Sequence, residues 1–418
     1  MIPLLNSIHH VIKHTRLIRR KKLFVTIKLN SKNLFYYLID AAICQKDDLD
    51  SLKVDVNSKT FHWVIELSQN QGNLFVKQLP HSSTLDNDVR ISKEWKLYNF
   101  LQSYKDLDYI SSLTPEVLHF DDSNSILIYK CPSDYITLQS YYENQEAFPI
   151  ALAELLGTTL AKLHSQTMSF QECYTFLTEL EECKLKYQLP YPDYLSNYLI
   201  SRIEPESLKK SQSLSWRFLG IFQQSEAVRE IVTDMVLNHR HCCLTHNNIQ
   251  FHKIFIPRHW EKLVSEIQDS DQSLIKIVDW EACSWGDPAC DLGKAILGYF
   301  LFWLNSMIVD PAIEIKKSIQ LATIPLEVVR TSIVAMTKAY INTYPKILED
   351  YPEFVKRVIQ FAGLGLIYQL LAEFQLQPDM ALNHQELYFF IGAQLLCKPE
   401  KFLSLKEGTG NREQGTGE

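Results

Sequence analysis

Apolar residues Leu34, Phe35, Leu38, Ile39 and Ala42 recur at helical spacing across residues 31–43, which predicts a helix. A polar, acidic connector at about 47–51 ends that pattern. The period then shortens. Apolar and polar residues partly alternate over 61–67, Asn70 to Gly72 reads as a turn, and 73–77 reads as the return strand of a hairpin. Glu94, Leu97, Tyr98 and Leu101 share one face of a second helix. Another strand pair follows, 117–120 and 125–129, around a turn at 121–124.

From Ile150 onward the pattern is mainly helical. Leu152, Leu155, Leu156, Thr159, Leu160 and Leu163 form an apolar face that ends at His164. The Tyr-, Pro- and Glu-rich stretch 174–210 reads as a helical excursion inside an insertion at about 170–230. Two short strands, near 254–256 and 275–278, flank the polar loop 265–273, and helices run to about Leu403. Residues 408–418 hold no apolar side chain, so 406–418 is expected to be a disordered tail. The fold class expected is α+β: a basic arm (1–30), a small antiparallel-sheet lobe with an extra N-terminal helix (31–130), and a large helical lobe (131–405).

Composition narrows the function. With 418 residues, 46% hydrophobic and 22% charged, the chain is long enough for a large two-lobed core. A net charge of -7 argues against nucleic acid as a partner. The nine cysteines include no C-x-x-C pair, so reduced thiols in a cytoplasmic protein are the plainest reading. The basic start, with Lys13, Arg16, Arg19 and Arg20, lacks the clean apolar run of a secretion signal. It reads either as an amphipathic membrane-surface helix or as an arm with no role of its own, and the second is preferred. The apolar run 295–309 falls short of the ~20 residues that span a bilayer and suits a core helix.

Candidate chemistry sits in the second half. A run of β-branched residues, Ile275-Lys-Ile-Val, ends in Asp279, which puts a carboxylate at the mouth of a cleft where a hard oxygen ligand could hold Mg²⁺ against phosphate. Asp287-Pro288 reads as an N-cap followed by proline at the first helical position, with Asp291 in the first turn. Together with Trp285-Gly-Asp-Pro-Ala-Cys-Asp-Leu-Gly293, this segment resembles the aminoglycoside phosphotransferase and choline kinase family. The resemblance implies a bilobal protein-kinase-like fold, ATP and Mg²⁺ as cofactors, and Asp279 as the metal ligand. In the family's catalytic loop, H-G-D-x-x-x-x-N, His246 matches. Asn248 stands where the resemblance implies the Asp that takes the substrate's proton, and Lys253 where it implies the Asn that helps hold the metal. An amide is too weak a base for that task.

Through the same resemblance Lys77 matches the phosphate-pairing lysine and Glu94 its carboxylate partner. The phosphate-covering turn falls at 57–60, with Ser58 and Thr60 but no glycine. Ile128 and Lys130 match the lobe connector that would meet an adenine edge. Leu155-Leu-Gly-Thr-Thr-Leu-Ala-Lys-Leu-His164 resembles a packing helix of the family, and His164 reads as a core histidine. A more distant similarity, in the extra N-terminal helix, Pro325-Leu, Tyr344-Pro and Tyr351-Pro-Glu-Phe354, is to the kinase-like partners of lanthipeptide biosynthesis. It implies phosphorylation of Ser/Thr in a precursor peptide. Two readings stand nearly level. One is an ATP-dependent phosphotransferase acting on a peptide or small-molecule hydroxyl. The other is a pseudokinase that binds a peptide or partner enzyme.

Overall fold

The computed structural model describes residues 27–45, 53–57, 62–66, 72–78, 86–145, 147–182, 225–266, 272–308, 312–376 and 382–403. Residues 1–26 of the expected basic arm, residues 58–60 of the phosphate-covering turn, most of the 170–230 insertion and the tail lie outside them. The chain divides into two compact units, Met1–Ile91 with Val117–Lys130, and Ser92–Glu116 with Cys131–Glu418. Residues 92–116, grouped by sequence with the first lobe, thus make their contacts in the larger unit.

The smaller unit is built on a five-stranded sheet. Its strands are β1 (Lys53–Asn57), β2 (His62–Glu66), β3 (Asn73–Gln78), β4 (Glu116–Asp121) and β5 (Ile126–Cys131), in the order β1-β2-β3-β5-β4. The expected hairpin is β2–β3, antiparallel with Trp63 opposite Val76 and Ile65 opposite Leu74. Gly72 enters β3 at φ 99°, a conformation that only glycine adopts without strain. Helix α1 (Leu34–Asp40) is shorter than the pattern over 31–43 suggested. Ala42 turns to φ 59°, and the Ile43 and Cys44 amides fold back onto the Leu38 carbonyl. That reversal satisfies an open helix-end carbonyl and delivers Cys44 into one core with Leu34, Leu38, Ile65, Leu74, Val76 and Ile128.

In the larger unit, helices surround two small sheets. Helix α2 (Asp86–Gln102) begins in the smaller unit and contributes its later turns here. The apolar face ending at His164 belongs to α3 (Ile150–Met168), which lies so close to α4 (Pro288–Asn305) and α5 (Leu326–Thr343) that their faces are shared core. Gly157 makes the approach to α5 possible, since a Cβ there would overlap the Met336 carbonyl. Asp287 caps α4 as expected, its side chain accepting from the Ala289 amide at 2.9 Å with Pro288 at the first helical position. The apolar run 295–309 falls largely on α4, which is buried on nearly every side and packs against α6 (Phe354–Leu376). No helix among the described residues is long and apolar enough to cross a membrane.

The short strands carry the site. The two expected strands are β8 (Ile254–Pro257) and β9 (Lys276–Ile277), antiparallel with Ile254 opposite Ile277. A third strand, β6 (Tyr135–Thr137), adds to β8, and a separate pair joins β7 (Cys243–Thr245) to β10 (Ser284–Gly286). None of these three was apparent in the sequence, because segments of three residues are too short to show a period.

Candidate functional site

The loop between β7 and β8 carries His246, Asn248 and Lys253, and the turn after β9 carries Asp279; all four lie in the larger unit. Asp291, in the first turn of α4, holds the front of this loop. Its two carboxylate oxygens accept the His246 and Asn247 amides, each at 2.7 Å. The Asp291 side chain is fully buried, and burial alone would raise its pKa. The hydrogen bond from His164 and the His246 amide outweigh that and hold the carboxyl below its usual range. His164 bridges Asp291 at 3.3 Å and Tyr340 Oη at 2.9 Å, the core role expected of it. The supporting role of Asp291 was not read from the sequence. The available signal was an acid in the first turn of a helix that follows a capped Asp-Pro.

His246 stands in the loop between β7 and β8. Its Nε2 lies 3.0 Å from the Val278 carbonyl, and its Nδ1 accepts the Asn248 amide at 3.1 Å. That pairing assigns the proton to Nε2 and leaves the ring neutral. Burial pushes its pKa down to about 4, with nearby Asp291 pulling the other way. The imidazole thus ties the loop to the strand that delivers Asp279, and its ring packs edge-on to Trp280. The sequence grouped it with the catalytic positions; here both ring nitrogens engage backbone groups.

Asn248 is half-buried, and its side-chain carbonyl accepts from Gln250 Nε2 at 3.0 Å. An amide so placed has no basic lone pair to offer a hydroxyl proton. Asn247, beside it, adopts φ 60° and donates through its side chain to the Ala282 carbonyl and Ser284 Oγ, at 3.0 and 2.6 Å. Asp and Asn are the non-glycine residues that most readily adopt this left-handed backbone.

Asp279 also sits at φ 69°, at the end of the strand, as expected of a residue presented at a special position. Its carboxylate forms an ion pair with Lys253 Nζ, both side chains being nearly buried. The backbone fixes that meeting: the Val278 amide donates to the Lys253 carbonyl at 3.0 Å, one residue beyond the Ile254–Ile277 pair. Trp280, next in sequence, donates its amide to Glu94 Oε1 at 3.1 Å, and Tyr98 Oη donates to the same oxygen at 2.6 Å. Glu94 is therefore a buried anchor for the Asp279 turn, a role beyond the one that the sequence suggested for it.

The remaining sequence candidates lie in the smaller unit. Lys77 is buried at the end of β3, Ile128 is buried in β5, and Lys130 is half-buried beside it. Ser58 and Thr60 lie outside the described residues.

Whether these residues suit Mg²⁺ can be judged from the donors. Mg²⁺ takes an octahedron of oxygens, and the position facing Asp279 offers an ammonium instead. At about 4 Å and an effective dielectric constant near 20, repulsion from that ammonium, roughly 8 kcal/mol, cancels the attraction of the carboxylate and leaves nothing to hold a dication. No group of three or more His, Cys, Asp or Glu side chains among the described residues could hold a metal either. The donor set does not fit the ion that the family resemblance implies.

No family model and no curated protein matches the sequence. Solved structures do. An ethanolamine kinase of Plasmodium vivax is similar over 90% of this chain and 91% of its own, with a TM-score of 0.51 and 13% identity. A choline kinase of Streptococcus pneumoniae is similar over 87% of this chain and 98% of its own, with a TM-score of 0.47 and 12% identity. A spectinomycin phosphotransferase, solved with ADP and spectinomycin, is similar over 84% and 93%, with a TM-score of 0.43 and 11% identity. At such identities the likeness concerns the fold alone. The chain has a mixed α+β, protein-kinase-like fold, as the ethanolamine kinase does.

Proposed function

We propose that this protein is a pseudokinase of the phosphotransferase fold: a nucleotide-binding, non-catalytic subunit that holds a hydroxyl-bearing peptide or a partner enzyme. One observation carries the reading. The loop keeps its whole hydrogen-bonded frame, from Asp291 through His246 to Asp279, while its two reacting positions carry an amide and an ammonium. A stable, shaped loop without a base suits a binding module. Loss of general-base assistance costs roughly 10²- to 10⁴-fold in rate. The eight cysteines among the described residues are all free thiols, which suits a reducing cytoplasm.

A second reading is supported by Asp279 itself, held at a strand end in a special backbone conformation. Phosphoryl transfer needs little covalent chemistry, so a scaffold that still aligns phosphates could act slowly on Ser/Thr of a precursor peptide, as in lanthipeptide assembly. The same slow transfer could serve a small-molecule hydroxyl such as that of ethanolamine. The deciding experiment offers radiolabelled ATP with Ser/Thr peptides and with ethanolamine to the native protein and to an Asn248→Asp/Lys253→Asn variant. The pseudokinase reading expects thermal stabilisation by ATP and no transfer above background by the native chain. Native turnover near the roughly 1–100 s⁻¹ of working kinases overturns it. Slow native transfer that rises at least tenfold in the variant establishes the second reading.

A further inference from the structure

We infer that Lys253 replaces the divalent cation at Asp279, so that any nucleoside polyphosphate is taken up here in metal-free form. The inference rests on the nucleotide-binding reading above for its ligand and on the ion pair alone for its cation. Asp279 and Lys253 are both nearly buried, and the pairing of the adjoining strands brings their backbones together. Lys253 itself sits in a tight turn, its amide donating to the Gln250 carbonyl at 2.9 Å, and its carbonyl receives the Val278 amide at 3.0 Å. The backbone on either side of the ammonium is thus tied down. A carboxylate and an ammonium in contact neutralise each other, as a carboxylate and part of a metal's charge would. An ammonium carries three donors; those not spent on the carboxylate remain to meet phosphate oxygens, for which lysine is a common partner.

The charge arithmetic separates this arrangement from a metal site. A lysine-paired carboxylate presents no net negative charge to attract Mg²⁺, whereas Asp279 beside an amide would present a full one. Exchange of Lys253 for asparagine should therefore create a divalent-ion site that the native chain lacks. The change is local: compensation of the Asp279 charge passes from a fixed side chain to a diffusible ion.

Two titrations test this on the full-length protein. In the first, Mn²⁺ alone is titrated and free Mn²⁺ is read by electron paramagnetic resonance. The native chain and Lys253→Arg should leave Mn²⁺ free, and Lys253→Asn should bind it. In the second, ATP is titrated calorimetrically in EDTA and in excess Mg²⁺. Native affinity should fall at least tenfold in excess Mg²⁺, which sequesters the free nucleotide, and Lys253→Asn should bind at least tenfold more tightly with Mg²⁺. Stoichiometric Mn²⁺ binding by the native chain that Asp279→Asn abolishes would overturn the inference. So would a tenfold Mg²⁺ requirement for native ATP binding. Absence of ATP binding in both buffers would overturn the nucleotide reading, while the Mn²⁺ titration would still judge Lys253. Because the decisive arm uses the native chain, a variant that fails to fold does not remove the test.

Discussion

Removing either partner of the Lys253–Asp279 pair should expose how much the site depends on it. Lys253→Met keeps the length of the aliphatic stem but deletes the ammonium, which leaves a nearly buried carboxylate without its cation. Asp279→Asn keeps the shape and suits the left-handed backbone at φ 69°, but leaves the ammonium without its anion. Each single change strands a buried charge, which typically costs about 3–5 kcal/mol. The double variant strands neither. Its cost should fall short of the sum of the singles by about 2–3 kcal/mol, the scale of coupling between groups in direct contact. Urea unfolding of the four proteins, followed by circular dichroism, measures that coupling. Restoring lost stability by acidification in Lys253→Met should accompany it, since a protonated carboxyl needs no cation. Additive singles, within about 0.5 kcal/mol, would mean that the two side chains do not depend on each other and would refute the reasoning.

Three further outcomes follow from the same geometry. Asp291→Asn replaces a carboxylate that accepts two loop amides with a group having one acceptor oxygen, so one buried amide is left unpaired; unfolding free energy should drop by about 1–3 kcal/mol, and ATP affinity should weaken with it. His239 is half-buried, its buried Nδ1 has no hydrogen-bond partner among the described residues, and burial with help from His241 and Arg357 pushes its pKa down to about 3. The unfolded chain takes up this proton near pH 6.5 and the folded chain does not, so stability is full above about pH 6.5 and is lost as pH falls toward 3. His239→Phe should flatten that decline by up to about 1.4 kcal/mol per pH unit, measured by urea unfolding at pH 7 and pH 5. Gly286→Ala should weaken the β7–β10 pairing, because the new Cβ would overlap Thr245 Oγ1; adding Thr245→Ala should recover most of the lost melting temperature.

Long periodic segments were legible from the sequence and short ones were not. The helix that carries His164, the strand pair 62–66 and 73–78, and the capped start at Asp287-Pro288 all carry local signals: an apolar face, a glycine before the return strand, an Asp-Pro pair. Strands β6, β7 and β10 carry none, since each is three residues long and is defined by a partner distant in sequence. The site divides in the same way. Residue types at Asn248, Lys253 and Asp279 could be read, and the lysine could be named as a cation in a metal ligand's place. That its ammonium reaches Asp279 depends on the register of β8 against β9, which no local pattern encodes. The anchoring roles of Asp291 and Glu94 are tertiary for the same reason: each carboxylate is spent on backbone amides at least 44 residues away. His246 shows the converse, a motif position whose identity was legible and whose neutral, tethered state emerged only from its two hydrogen bonds.

The most direct measurement is the electron density around Asp279 in crystals grown with a non-hydrolysable ATP analogue and saturating Mg²⁺. The expected result is Lys253 Nζ still within hydrogen-bonding distance of the carboxylate, with no ion beside it. An octahedral peak about 2.1 Å from the Asp279 oxygens, with the lysine displaced, would contradict it.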